Sequence, residues 1–223
     1  MMRHVKRTGA LLGCALLLVS CTSKPPKSLV TPMPQAKPVQ QTNEPMRGIW
    51  LATVSRLDWP PVSSVNGRSA DQRIAQQQKA LTDKLDKLKN LGINTVFFQV
   101  KPDSTALWAS KILPWSDTLT GTIGEDPGYD PLQFMLDEAH KRGMKVHAWF
   151  NPYRVSTNTK PSTIAALNRT SSLHPSSVYV QHPEWIRTSG DRFVLDPGIP
   201  DVRDWITQVV MEVVRSEEHT SEL

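Results

Sequence analysis

The stretch KVHAWFNPYR, Lys145 to Arg154, decides the fold because it joins a buried strand directly to a polar cluster. Its first half shows no clean alternation of apolar and polar side chains, which is typical of a parallel strand covered on both faces. Asn151, Pro152, Tyr153 and Arg154 then follow without a spacer. The pattern predicts a core strand whose carboxyl end carries hydrogen-bonding and aromatic groups.

Two earlier apolar runs are similar to this strand. They are MRGIWLATV at 46–54 and INTVFFQV at 93–100, and neither places a polar residue at every second position. A helical pattern follows each of the runs. The order strand, helix, strand, helix, strand, helix predicts an α/β fold with a parallel sheet.

The predicted helices begin at recognisable signals. Ser69 with Gln72 predicts a capping box for the first helix. Asp130 and Pro131 open the second helix, and Pro200 opens the third. The apolar positions expected to face the core are Ile74, Leu81, Leu85, Leu88 and Leu91, then Leu132, Met135, Leu136 and Ala139, then Val202, Ile206, Val209, Val210 and Val213.

The connections between these elements differ in length. Helix-to-strand turns are minimal at Gly92 and Gly143, whereas strand-to-helix segments run from about 101 to 129 and from 151 to 198. Long loops at the carboxyl ends of parallel strands are typical of (β/α)8 barrels, whose active sites they build. A doubly wound open sheet is the alternative, although no GxGxxG or P-loop motif follows any strand.

The amino-terminal segment is typical of an exported lipoprotein. Arg3, Lys6 and Arg7 precede a short apolar run, so residues 1–20 are interpreted as a signal peptide. The run ends at Cys21 in a pattern that resembles the bacterial lipoprotein box, and Cys21 is the expected lipid attachment residue. An ordinary signal peptide with a stray cysteine is the alternative. No aspartate follows Cys21, which favours the outer membrane over the inner one.

Residues 21–45 are rich in Pro, Gln, Ser and Lys and are interpreted as a disordered tether. Cys14 lies within the signal peptide, so the mature chain would keep one cysteine and form no internal disulfide. Subtracting the three basic residues of the signal peptide from the net charge of +5 leaves +2. So small a net charge excludes the basic surface that a nucleic-acid-binding protein needs.

The last nine residues, RSEEHTSEL at 215–223, abruptly replace an apolar helical pattern with polar residues. Codons that encode them, AGA TCG GAA GAG CAC ACG TCT GAA CTC, spell a common sequencing-library adapter. These residues are therefore interpreted as an assembly artefact, and the natural chain is expected to continue beyond Val214. A genuine polar tail is the alternative.

Four ordered blocks resemble the glycosyl-hydrolase-like 10 family. They are MRGIWLATVSRLDWP at 46–60, LGINTVFFQVKPDSTALWASKILPWSD at 91–117, GYDPLQFMLDEAHKRGMKVHAWFNPYR at 128–154 and GDRFVLDPGIPDVRDWI at 190–206. The resemblance implies that residues 46–214 are the N-terminal part of a (β/α)8 TIM-type barrel, truncated and not closed. A typical barrel needs roughly 250 residues.

The resemblance also implies an activity and a location. Members of this family hydrolyse glycosidic bonds, and they include outer-membrane lipoproteins that cleave peptidoglycan glycan strands lacking stem peptides. A monomeric periplasmic enzyme without a cofactor is therefore expected, with glycan strands and the outer membrane as its partners. Members continue after the third helix into an aspartate-rich strand of the form D-G-[VI]-x-[FL]-D-D-Y. The main catalytic carboxylates are thus expected beyond Val214, and this piece alone is expected to be inactive.

Glycoside hydrolysis needs a pair of carboxyl groups, and sugars need aromatic faces and polar groups that bind their hydroxyls. Asp103 and Asp196 are the best candidates for catalytic carboxylates here. The candidate substrate-binding residues at the strand ends are Arg47, Trp50, Gln99, Lys101, His147, Trp149, Asn151, Tyr153 and Arg154.

Several candidates also have a plain structural interpretation. Trp50, Trp149 and His147 are equally expected as packing within a barrel, and Arg47 as a surface residue at the start of its strand. Asn151, Tyr153 and Arg154 are stronger candidates for substrate binding, because barrels place functional residues at the carboxyl ends of strands.

Lys101 and Asp103 are also interpretable as an ion pair, and Asp196 as part of a turn before the third helix. A metal site is not expected, because the histidines lack any metal-binding spacing; His140 and His147 fall on a helix and a strand. Three functions stay open: a peptidoglycan glycoside hydrolase, a non-catalytic carbohydrate-binding lipoprotein, and a structural envelope lipoprotein.

Overall fold

The computed structural model describes residues 44–66, 69–169 and 174–220, with side chains given up to Arg215. The predicted signal peptide at 1–20, the lipid attachment residue Cys21 and nearly all of the predicted tether lie outside the described residues.

A parallel sheet of three strands organises the described chain. The strands are β1 at Gly48–Leu51, β2 at Thr95–Lys101 and β3 at Lys145–Phe150, in the order β1-β2-β3. The parallel arrangement and the position of all three strands confirm the sequence prediction. A register shift between Gln99 and Lys101 interrupts the pairing of β2 with β3 where the polar segment begins.

Long helices follow the strands as predicted. They are α1 at Ala70–Asn90, α3 at Pro131–Lys141 and α6 at Pro200–Thr220. Ser69 caps α1 through the predicted capping box with Gln72, and the Asp130 side chain accepts from the backbone N–H of Gln133 to cap α3. Gly143 ends the turn after α3 at a φ of 64°, a conformation that favours glycine.

Most of the expected core positions of the helices are buried, but Ile74, Ile206 and Val210 are half-buried and Leu91 is exposed. Leu81, Leu85 and Leu88 pack into the core, but Leu91 is 77% exposed. The prediction for Leu91 was wrong because α1 ends at Asn90, and Leu91 occupies the C-cap, where the chain turns away from the helical stripe.

The two faces of the sheet differ. One face carries Val96, Phe98 and Val100, which are buried in the hydrophobic core with the apolar stripes of α1 and α3. The opposite face leaves Trp50 59% exposed and His147 exposed as well. The expectation that each strand is covered on both faces therefore holds for β2, where only Phe97 is half-buried, and was wrong for β1 and β3, whose residues on this face are partly exposed among the described residues.

The long strand-to-helix segments contain structure that the sequence did not predict. The segment after β2 holds α2 at Asp117–Thr120. The segment after β3 holds α4 at Pro161–Leu167, α5 at Val178–Gln181 and an antiparallel hairpin of β4, Ile186–Ser189, with β5, Arg192–Leu195. No helix in the described parts of the chain is long and apolar enough to cross a membrane.

Candidate active site at the carboxyl ends of the strands

Polar and aromatic residues gather where the three parallel strands end. The predicted residues at this edge are Trp50 of β1, Gln99, Lys101 and Asp103 at the end of β2, and Trp149, Asn151, Tyr153 and Arg154 at the end of β3. Because the strands are parallel and neighbouring, the three ends lie at one edge of the sheet.

Gln99 joins the ends of β1 and β2. Its side-chain oxygen accepts hydrogen bonds of 2.9 Å from the backbone N–H groups of both Thr53 and Val54, and the Thr53 hydroxyl donates 2.8 Å to the Gln99 carbonyl. Ser55 and Arg56 follow with φ angles of 52° and 55°, an uncommon conformation for residues with a side chain. Gln99 is fully buried, so its direct role is to hold this turn.

Lys101 is buried and links the ends of β2 and β3. Its ammonium group donates to the backbone carbonyls of Asp103, Asn151 and Pro152 at 2.7, 3.0 and 3.2 Å. Burial lowers the pKa of Lys101 to about 8, with the Arg154 guanidinium acting in the same direction and the Asp103 carboxylate opposing it. Lys101 and Asp103 therefore do not form the ion pair considered above; the lysine contacts the backbone oxygen of Asp103 instead.

Asp103 shares a cavity with a second carboxyl group, that of Asp117. This cavity of about 270 Å³ is also lined by the polar residues Ser156, Thr157, Asn158, Ser162 and Thr163. Burial, together with the negative charge of Asp117, raises the pKa of Asp103 to about 6. The Thr105 hydroxyl donates 2.6 Å to Asp103 Oδ1 and opposes that shift.

Asp117 is a site residue that the sequence analysis missed. Burial raises the pKa of its carboxyl, while the Arg56 guanidinium opposes the shift. Arg56 also donates to the backbone carbonyls of Asp117 and Thr118, which ties the end of β1 to the start of α2. The sequence signal was ambiguous, since Ser116 before Asp117 is typical of a helix cap, and Ser116 does cap α2.

Four rings form an aromatic row on the open face of the sheet. Trp50 stacks on Phe97 with ring centroids 4.7 Å apart, and Phe97 stacks on His147 at 5.1 Å. Trp149 meets Trp50 edge to face at 4.9 Å. Phe97 was not predicted as a site residue, although it lies in register with both Trp50 and His147.

Asn151 fixes the polar turn after β3. Its side-chain oxygen accepts from Trp149 Nε1 at 3.1 Å, and its side-chain nitrogen donates to the Pro102 carbonyl at 2.9 Å. Its backbone N–H also donates to the Lys101 carbonyl at 2.9 Å. The amide is thus a positioning group that holds Trp149 and the end of β2 in place.

Tyr153 and Arg154 continue from β3 onto the hairpin. The Leu195 N–H donates a 2.8 Å hydrogen bond to the Tyr153 carbonyl, and the backbone of Arg154 forms an isolated antiparallel β-bridge with that of Val194. The two side chains line a groove of about 360 Å³ together with the hairpin residues Ser189, Gly190, Asp191, Arg192 and Val194.

Two predicted residues are held by local contacts instead. Asp196 accepts 2.8 Å from Gly198 N–H and pairs with Arg187 at 3.1 Å, so its carboxylate stabilises the turn before α6. Arg47 lies at the amino end of β1, where it donates to the Gly92 carbonyl and pairs with Glu44 at 2.6 Å. The structure does not bring Arg47 to the carboxyl edge, because it precedes the first residue of its strand.

Within the described residues, no group of three or more His, Cys, Asp or Glu side chains is placed to hold a metal ion. The expectation of metal-independent chemistry stays a prediction.

Comparison with known protein families assigns the chain to one of them. The model of the family described as Glycosyl hydrolase-like 10 matches residues 45–218, which include every element described above except the last two residues of α6. The chain belongs to the glycosyl hydrolase-like 10 family. The resemblance drawn from the four sequence blocks is therefore confirmed.

Curated relatives of this family are similar over most of the chain. The glycosyl hydrolase DigH of Escherichia coli strain K12 is 71% identical over 213 residues, which cover 94% of this chain and 48% of the relative. The glycosyl hydrolase YngK of Bacillus subtilis strain 168 is 40% identical over 175 residues, which cover 78% of this chain and 31% of the relative. The chain thus spans about half the length of the first relative and about a third of the second.

Proposed function

We propose that the complete gene product is a glycoside hydrolase of the cell envelope that cleaves the glycan strands of peptidoglycan. Membership of the glycosyl hydrolase-like 10 family supports glycosidic bond hydrolysis. The observation that carries the proposal is the Asp103 carboxyl, which lies at the carboxyl end of β2 beside Asp117 and has a pKa raised to about 6.

Asp103 suits the role of general acid. A carboxyl group that stays protonated near pH 6 can donate its proton to the glycosidic oxygen as the bond from the anomeric carbon breaks. Water then adds to the anomeric carbon and gives its proton to a second carboxylate. Asp117 is the candidate for that second group among the described residues, and the aspartate-rich strand expected beyond Val214 is the other source.

The same edge offers groups that recognise sugars. Trp50 and Trp149 present aromatic surface of the kind on which pyranose rings stack, and Trp50 is the more exposed of the two. Tyr153 is 36% exposed in the neighbouring groove. We further propose that these strands are the first part of a (β/α)8 barrel, whose active site such an edge would form.

The envelope location rests on the amino-terminal sequence. The basic residues, the apolar run and Cys21 support export and lipid attachment at the outer membrane. Such an anchor would hold the enzyme on the periplasmic side, where peptidoglycan lies, at the end of the predicted tether.

The test is digestion of isolated sacculi by the complete gene product produced without residues 1–21. Sacculi pretreated with an amidase, which removes stem peptides, are compared with untreated sacculi, and soluble sugars are followed by mass spectrometry. Release of glycan fragments from the pretreated sacculi is expected. Binding of glycan without release would favour the carbohydrate-binding alternative. The absence of both binding and release would defeat the proposal.

A further inference from the structure

One cation at the end of β3 has no acceptor among the described residues. Arg154 is half-buried, and its guanidinium makes no hydrogen bond or ion pair with any residue that the structure describes. Arg142 and Arg187, by contrast, pair with carboxylates at 2.7 and 3.1 Å. A guanidinium offers five donors in a planar fork, so withdrawing it partly from water without an acceptor is unfavourable.

A second cation lies close to Arg154. Lys101 is buried, and the guanidinium of Arg154 disfavours its charged form in addition to the effect of burial. Asp103 opposes this effect, but its carboxyl faces the other cavity, with Asp117. Two positive groups held near each other at the end of a core strand reduce stability, and such arrangements cluster at functional sites.

The groove beside Arg154 has the size of a small-ligand site. Its volume of about 360 Å³ lies within the range of pockets that hold small molecules. Asp191 and Arg192 at the hairpin turn pair with each other at 3.5 Å, so the charge of Arg154 is left uncompensated in this groove. Tyr153 lies beside Arg154 with its ring partly exposed.

We propose that Arg154 binds a free carboxylate carried by a sugar residue of the substrate, while the Tyr153 ring lies against that sugar. A guanidinium matches the two oxygens of a carboxylate through paired hydrogen bonds. This inference rests on the proposed function. In peptidoglycan, the lactyl group of muramic acid ends in a free carboxylate only when no stem peptide is attached, because the peptide bond converts that group into a neutral amide.

A carboxylate site at Arg154 would give the protein a preference between two forms of one glycan. A glycan without stem peptides brings a negative charge to Arg154, whereas a glycan with peptides brings a neutral amide and added bulk. The groove would thus select peptide-free strands by charge, independently of the carboxyl groups that perform hydrolysis.

The experiment measures the affinity of the complete gene product for two matched oligosaccharides by calorimetry. Both alternate N-acetylglucosamine and N-acetylmuramic acid; one keeps its lactyl carboxylates, and the other carries them as neutral methylamides. We expect the free acid to bind roughly ten-fold more tightly or better. Arg154→Gln should lower the affinity for the free acid to about that for the methylamide and so abolish this preference.

Two further variants keep the test decisive. Lys87→Gln removes a positive charge from the exposed face of α1 and should retain the preference. Arg154→Lys keeps the positive charge but lacks the planar fork of donors, so it should retain part of the preference for the free acid. Equal binding of both oligosaccharides by the unaltered protein, or an unchanged preference in Arg154→Gln, would overturn the inference while leaving the hydrolase proposal intact. Binding of neither oligosaccharide would overturn both.

Discussion

The Lys101 ammonium group donates its 2.7 Å hydrogen bond to the backbone carbonyl of Asp103, and its remaining bonds go to the carbonyls of Asn151 and Pro152. This arrangement has two consequences. The lysine fastens the end of β2 to the end of β3, and the Asp103 carboxyl keeps its own position in the cavity that it shares with Asp117.

Replacing Lys101 should therefore loosen the site. Lys101→Met retains most of the side-chain volume but leaves three carbonyl oxygens without their donor. We expect the free energy of unfolding of the complete protein to fall by about 1–3 kcal/mol, measured by urea denaturation at neutral pH. Lys87→Met on the exposed face of α1 is the matched control and should stay within about 0.5 kcal/mol. Equal stability of Lys101→Met and the unaltered protein would show that these bonds contribute little.

The exposed aromatic row distinguishes sugar binding from packing. Trp50→Ala should weaken the affinity for peptide-free glycan oligosaccharides about five-fold, since an aromatic face in contact with a ring contributes on the order of 1 kcal/mol. Trp59→Phe is the comparison variant, because Trp59 is fully buried and donates 3.0 Å to the Gln77 carbonyl. That variant should lose thermal stability without losing affinity. A large fall in the melting temperature of Trp50→Ala with unchanged affinity would mean that Trp50 only packs in the complete protein.

The raised pKa of Asp103 predicts the pH dependence of activity and of stability. Its ordinary value is 3.8 and its value in the fold is about 6, so the folded protein binds this proton more tightly than the unfolded chain does. The resulting stabilisation is fully present below about pH 4 and is lost as the pH rises through about 6. The general acid is lost over the same range, so kcat/KM should decline above about pH 6. A profile that stays flat from about pH 5 to about pH 8 would contradict the assignment.

Local patterns predicted the scaffold but only part of the site. The capping box of Ser69 and the bounds of β3 follow from neighbouring residues, which is why the sequence alone located them. The approach of Asp117 to Asp103 depends on the path of the loop after β2, and no periodic pattern encodes that path. The hairpin of β4 and β5 was missed for a similar reason, since strands this short carry little alternation.

Asp196 shows that the position of an aspartate in the sequence does not by itself predict a catalytic role. It precedes α6 in a segment at the expected edge of the sheet, yet its oxygens are engaged by Gly198 N–H and Arg187. Asp103 has a hydroxyl donor and a second carboxyl beside it. The two aspartates thus differ in what surrounds them, which the sequence could not indicate.

The most direct test of the central claim compares the kcat of two variants of the complete protein on peptide-free glycan. Asp103→Asn replaces the proton donor with an amide of the same shape, and Asp196→Asn makes the matched change at the turn. The account predicts that kcat falls by about 10²–10⁴-fold in Asp103→Asn and by less than about ten-fold in Asp196→Asn. A folded Asp103→Asn protein that retains the kcat of the unaltered enzyme would contradict it.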